Sequence, residues 1–213
     1  GQTGAKIGGV IVDIVEGTLV YRHGDTVLEG YYAYDNAWSA LRPLVLVSHP
    51  WLGRNNFVID KARQLARLGY VGFALDMYGQ GVLGKNKDDG ARLMAPFIAD
   101  RALLQQRILS ALTAAKQLPI VDVAKIAAIG FCFGGLCVLD LARTGMDIQG
   151  VVSFHGLLEA PANTVGKKMK AKVLALHGHD APMATPADVL AFQHEMTQAG
   201  ADWQLVSYGH PLH

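Results

Sequence analysis

Ala127-Ala128-Ile129-Gly130-Phe131-Cys132-Phe133-Gly134-Gly135-Leu136-Cys137 decides how the rest of the chain is read. An apolar run ends at Gly130, one reactive side chain stands at Cys132, and paired glycines open a helical pattern. Glycines two before and two after the central residue suit a sharp strand-to-helix turn that lifts Cys132 above a sheet. A helix beginning at Phe133 aims backbone N–H groups and its positive dipole end at that side chain. Both favour thiolate over thiol and can stabilise a developing oxyanion. A lone free cysteine at a strand end is more often a small buried hydrophobe. The flanking glycines and the strand-turn-helix context reverse that preference and mark Cys132 as a nucleophile.

Working outward from this elbow, strand and helix signals alternate. Upstream, Thr18 to Tyr34 reads as a β-hairpin turning at His23-Gly24-Asp25, followed by a buried strand over Leu44–Ser48. Asn55 or Asn56 caps a helix with Val58, Ala62, Leu65 and Leu68 on one face, and Gly69 stops it. Tyr70–Leu75 is the next strand, and the glycine- and lysine-rich stretch to Gly90 reads as a loop. Leu104, Ile108, Leu112 and Ala115 mark a helix from Asp100 to Gln117. Downstream of the elbow, a helix runs to about Thr144, and strands follow at Val151–Phe154 and Ala171–Leu176. A helix opens at Pro186, and Trp203–Tyr208 forms the last strand. This order predicts one α/β domain with a mainly parallel central sheet and helices on both faces.

Composition narrows the functional classes. The 213 residues are 51% hydrophobic and 17% charged, with a net charge of +1. Nothing there favours nucleic acid or an anionic membrane. Cys132 and Cys137 are too few for a disulfide framework and wrongly spaced for zinc. No apolar run is long enough to span a bilayer. Gly1 to Gly9 lacks the features of a secretory signal and reads as a processed or artificial end, so the cytoplasm is the expected compartment.

Chemistry in such a sheet gathers at the carboxyl ends of its strands. Those ends carry His49-Pro50-Trp51, Asp76, Cys132, His155, Asp180 and then His210 or His213. A cysteine nucleophile needs an imidazole to take its proton and a carboxylate to orient that imidazole, and nucleophile–acid–histidine is a workable chain order.

Gly130-Phe131-Cys132-Phe133-Gly134-Gly135, His177-Gly178-His179-Asp180 and the terminal Tyr208-Gly209…His segment resemble the dienelactone hydrolase family. The likeness runs from the hairpin near Thr18 to the last residue. It implies an α/β-hydrolase fold and a Cys-His-Asp triad acting on esters or lactones through a thioester. Carried over, Cys132 is the nucleophile, Asp180 the orienting acid and His213 the base, with His210 as runner-up. The backbone N–H groups of Phe133 and Trp51 become the oxyanion donors, and His49, Tyr78, Gln80 and His155 the pocket candidates.

Two departures stand out: Pro50 replaces a glutamate that helps activate the thiol, and Gln80 replaces an arginine that holds the substrate carboxylate. The resemblance also implies a further helix packing on the sheet beyond the histidine, so the expectation is a domain over 1–213 without it. No metal or organic cofactor is implied. The expected partner is a small-molecule ester or lactone, not nucleic acid or membrane, and the chain would be a monomer or small homo-oligomer. Two other classes stay open: a non-catalytic binding or regulatory domain on this fold, and a redox-sensing thiol for which Cys137 is poorly placed as resolving partner.

Overall fold

The computed structural model describes residues 2–7, 10–178 and 184–209. Its strands are β1 (Gln2–Ile7), β2 (Val10–His23), β3 (Thr26–Asp35), β4 (Arg42–Ser48), β5 (Val71–Ala74), β6 (Val121–Phe131), β7 (Gly150–Phe154), β8 (Lys172–Gly178) and β9 (Trp203–Tyr208). Its helices are α1 (Asn56–Arg67), α2 (Lys87–Ala99), α3 (Arg101–Lys116), α4 (Phe133–Arg143) and α5 (Pro186–Gln198). The strands form a single sheet in the order β1-β2-β3-β5-β4-β6-β7-β8-β9. The six strands from β5 to β9 in that order are mutually parallel, while β1, β2 and β3 join antiparallel.

Alternation along the strands sorts the core into two layers. Leu44, Leu46, Val71, Phe73, Ile126, Ala128 and Val151 pack with Leu104, Ile108, Leu112 and Leu136 of α3 and α4. On the opposite face Val47 and Ala74 meet Val58 and Ala62 of α1. Burial on both faces is why the parallel strands carry near-continuous apolar runs. Among the described residues no helix is long and apolar enough to cross a membrane.

Three elements differ from expectation. Gln2–Ile7, for which the sequence suggests no element, is strand β1, paired antiparallel with β2 from Gln2↔Val15 to Ile7↔Val10. Backbone pairing of this kind leaves no mark in side-chain pattern. The hairpin extends back to Val10 and on to Asp35, because Gly17 is covered by the Tyr32 ring and does not interrupt the ladder. The stretch ahead of Asp100 contains helix α2, hidden in sequence by Gly90 and Pro96. Asn86 caps it by accepting from the Asp89 N–H at 2.9 Å, and it buries only Gly90 and Phe97. By contrast α3 and α4 begin and end within two residues of the predicted points, and α5 opens at Pro186 as expected. Asp100 caps α3, and Thr185 with Asp188 forms a capping box on α5.

Helix α4 is buried over its whole length, so its polar residues must be paired. The Asp140 carboxylate accepts from Arg101 Nε and Nη2 at 2.8 and 2.7 Å and from Arg143 Nη1 at 3.1 Å. Arg143 gives its Nε and Nη2 to Glu195 of α5, both at 2.8 Å, and Nη2 also to the Leu158 carbonyl. One ionic network therefore joins α3, α4, α5 and the loop after β7. Removing one member leaves buried charge uncompensated. Asp140→Ala should cost about 3–5 kcal/mol in urea unfolding, whereas Arg63→Ala, at the more exposed Arg63–Glu16 pair, should cost about 1 kcal/mol or less.

A second cluster ties α3 to the hairpin. Arg107 Nε donates to His23 Nδ1 at 2.8 Å, and burial together with the Arg107 charge pushes the His23 pKa down. Below the ordinary imidazole pKa of about 6.5 the unfolded chain binds a proton that the fold refuses. The stability gained from neutral His23 is thus full above that pH and drains away as pH falls through the lowered value. The urea midpoint should drop between pH 7.5 and 5.5. His23→Gln should lessen that drop without abolishing it, because buried His49 is shifted in the same direction.

Candidate active site

β4 leads through the loop after it to α1 and β5 on one side, while β6, its neighbour on the other side, is followed by β7. The chain thus reverses its direction of winding between β4 and β6, where loops part to leave a crevice at the carboxyl ends of the strands. Cys132 stands there, between β6 and α4, with φ 55° and ψ −115°. Its N–H donates to the Phe154 carbonyl at 2.8 Å, and its carbonyl accepts from Gly135 N–H at 2.9 Å.

The glycines around it are needed for closeness. A Cβ on Gly130 would run into the Gly134 carbonyl, one on Gly134 into the Ser48 carbonyl of β4, and one on Gly135 into Ser153 Oγ and the Gly156 backbone. Only bare backbone lets the first turn of α4 press this tightly on β4, β6 and the end of β7. Cys132 and His155 are the two non-glycine residues with positive φ among the described residues, and they sit at adjoining strand ends. Such conformations cost roughly 1–3 kcal/mol each and cluster at functional sites.

The Cys132 side chain is half-buried, and burial pushes its thiol up rather than down. The cause of that rise is desolvation of the charged form. Asp180, His210 and His213, the acid and base candidates, lie outside the described residues. The strand ends that lead to them are described, and they are adjacent: β8 ends at Gly178, which pairs in register with Tyr208 at the end of β9.

Phe133 is the first residue of α4, so its N–H has no partner within the helix. Its ring packs beneath the site against Tyr78, His49 and Phe97, at centroid distances of 5.8, 6.1 and 5.9 Å. The Trp51 N–H is taken up by none of the turn and loop hydrogen bonds among the described residues. Its carbonyl accepts from the Tyr78 hydroxyl at 2.7 Å, and its ring lies against Gly90 of α2. Burial raises the Tyr78 pKa, so the hydroxyl stays a donor.

The pocket candidates separate by environment. Tyr78 and His155 are partly exposed near the crevice. His49 is fully buried, with Nδ1 2.7 Å from the Pro50 carbonyl and Nε2 3.0 Å from the Met77 nitrogen. Gln80 donates to Glu29 Oε2 at 2.7 Å, and Arg54 donates to Glu29 Oε1 at 3.2 Å. Asp76, at the end of β5, accepts from the N–H groups of Tyr78, Gly79 and Glu29 and shapes the loop that follows. Glu29, Arg54, Tyr21 and Arg107 were not singled out from sequence, because their partners lie 25 to 84 positions away and no local pattern records such contacts. Among the described residues no three His, Cys, Asp or Glu side chains converge as a metal site requires.

With this geometry in hand, the likeness to known proteins can be placed. The chain is 38% identical over 112 residues to an uncharacterized protein of Caenorhabditis elegans, covering 52% of this chain and 71% of that one. It is 27% identical over 187 residues to a Bradyrhizobium protein named probable 2-oxo-3-(5-oxofuran-2-ylidene)propanoate lactonase, covering 80% and 73%. Among solved structures, a dienelactone hydrolase-like promiscuous phosphotriesterase from metagenomic libraries superposes with a TM-score of 0.87 at 34% identity. That match covers 92% of this chain and 81% of that one. The sheet order, the elbow and these relatives together identify the α/β-hydrolase fold. The family profile described as the dienelactone hydrolase family matches residues 28–213, and the chain belongs to that family.

Proposed function

We propose that this protein hydrolyses an ester or lactone through a thioester on Cys132, with His213 as base and Asp180 as the acid that orients it. The observation that carries the proposal is the strained elbow: Cys132 at φ 55° at the start of α4, its glycine neighbours in backbone contact with β4 and β6 and packed on Ser153 and Gly156 at the end of β7. Such an arrangement costs stability and is hard to account for as core packing.

His213 takes the Cys132 proton, and Asp180 steadies the imidazolium. The thiolate adds to the carbonyl carbon, and the N–H groups of Phe133 and Trp51 receive the oxyanion. Collapse expels the alkoxide, which leaves with the proton from His213, or stays attached as the other arm of an opened lactone. Water, deprotonated by His213, then cleaves the thioester and releases the carboxylic acid and the thiol. Because burial raises the Cys132 pKa, His213 has real work to do. Thiolate is also a good leaving group, so cyclic or activated substrates are favoured over unstrained esters.

With Gln80 and Arg54 both bound to Glu29, neither is held ready for a substrate carboxylate. Uncharged substrates therefore suit the site better than acidic ones, and a phosphotriester merits inclusion in the panel given the relative that is named for that activity. A redox pair is disfavoured, since Cys137 is fully buried with its thiol pushed well up.

Rapid mixing with an activated aryl ester, followed by intact mass, should show one acyl group added per chain, lost in Cys132→Ala. His213→Ala should slow turnover by about two to four powers of ten. No acylation of the folded wild-type protein would sink the proposal. Iodoacetamide alkylation of Cys132 provides the pH check. In His213→Ala the raised thiol should react appreciably only at alkaline pH, with the rate climbing as pH rises, and the wild type should react at lower pH.

A further inference from the structure

Residue His49 lies outside the triad, yet it is bonded to the peptide that carries one of the oxyanion donors. Its Nε2 is 3.0 Å from the Met77 nitrogen, an N–H that can only donate, so Nε2 is the acceptor. A neutral imidazole with that nitrogen as acceptor carries its proton on Nδ1, which is 2.7 Å from the Pro50 carbonyl. Burial lowers the His49 pKa and keeps the ring neutral; Asp76 pulls the other way, and Arg54 reinforces the burial.

The Pro50 carbonyl and the Trp51 N–H belong to one trans peptide, so they point in opposite directions along one dipole. Holding the carbonyl sets the direction of the N–H. Behind His49 the same pattern repeats: the Tyr21 hydroxyl donates to the Asp76 carbonyl at 3.2 Å, and that carbonyl shares its peptide with the Met77 N–H. Tyr21 O–H, the Asp76–Met77 peptide, His49 and the Pro50–Trp51 peptide thus form one head-to-tail chain of donors and acceptors. Each bond in such a chain polarises the next.

We propose that His49 is a positioning residue that aims and polarises the Trp51 N–H toward the oxyanion, acting through the Pro50 carbonyl. This rests on the role of the Trp51 N–H given under Proposed function. The Gly53 N–H also reaches the Pro50 carbonyl, at 3.1 Å, but it comes from the same turn and cannot anchor that turn to the rest of the fold. His49 can, because Met77 is fastened independently: its carbonyl accepts from Arg107 Nη1 at 2.8 Å.

The test compares two reactions of Cys132. Acylation by p-nitrophenyl acetate builds an oxyanion, whereas alkylation by iodoacetamide displaces iodide and builds none. In His49→Phe the ring shape is kept and both hydrogen bonds are lost. Acylation at saturating ester should fall about ten- to a hundredfold, somewhat less than outright removal of an oxyanion donor, with KM and the alkylation rate nearly unchanged. His49→Asn places an amide N–H where Nδ1–H was and should recover most of the loss. If His49→Phe fails to fold, Tyr21→Phe replaces it; slowed acylation with normal alkylation supports the chain of bonds.

Unchanged acylation in the variants, equal loss in both reactions, or no rescue by asparagine would overturn the proposal. Failure of the underlying function would look different, since the wild-type protein would then not acylate at all. In that case the ¹⁵N shifts of the His49 ring would still report whether the proton sits on Nδ1.

Discussion

Everything at the candidate site depends on how closely the first turn of α4 approaches the backbones of β4 and β6. The contact is carbonyl against glycine, Gly134 on Ser48 and Gly130 on Gly134, with no side chain between. It forces Cys132 into a left-handed conformation and lifts its sulfur off the sheet. It also sinks α4 so deeply that all of its residues are buried. A helix placed this way presents its N-terminus to the crevice and its C-terminus to the opposite edge of the sheet. The ionic network of Asp140, Arg143, Arg101 and Glu195 meets the second consequence, because charges on a sunken helix must find partners inside the fold.

The two clusters of polar groups have different physics. Around Asp140 the charges neutralise one another and lock helices together. Beside His49 the hydrogen-bonded groups are peptides and neutral side chains, namely the Asp76–Met77 and Pro50–Trp51 peptides, Tyr21 and Tyr78, with the charged Asp76, Arg54 and Arg107 around them. Neutral dipoles held in place would suit the hydrolysis proposed above, since a preorganised donor need not reorient as charge develops. The same burial that makes these dipoles effective raises the Cys132 pKa.

The elbow motif and the alternation of strand and helix were legible because each is local, whereas the caps at Asp100 and Thr185 emerged only in the structure. Glycine two residues either side of Cys132 or a 3.6-residue apolar period acts within one turn of chain, and it leaves its record in adjacent letters. The α/β architecture and the place of Cys132 on the strand-to-helix turn followed from these. Elements without such a record escaped: β1, paired along the backbone of β2, and α2, whose Gly90 and Pro96 look like loop; Trp51 packs over Gly90. His49 was noticed but read as a pocket residue, because a histidine at a strand end looks the same whether it faces substrate or backbone.

The amino-acid sequence by itself determined the class of fold, the place of the turn and the identity of the thiol, since sterics and periodicity act between near neighbours. Only the tertiary structure decided how the groups around that thiol are held. Tyr21 comes to lie beside Asp76, Arg107 beside His23 and Met77, and Gln80 and Arg54 beside Glu29, because sheet register fixes which distant segments meet. Hydrogen bonds form where the folded backbone brings donors and acceptors together, and no spacing along the chain encodes that meeting in advance.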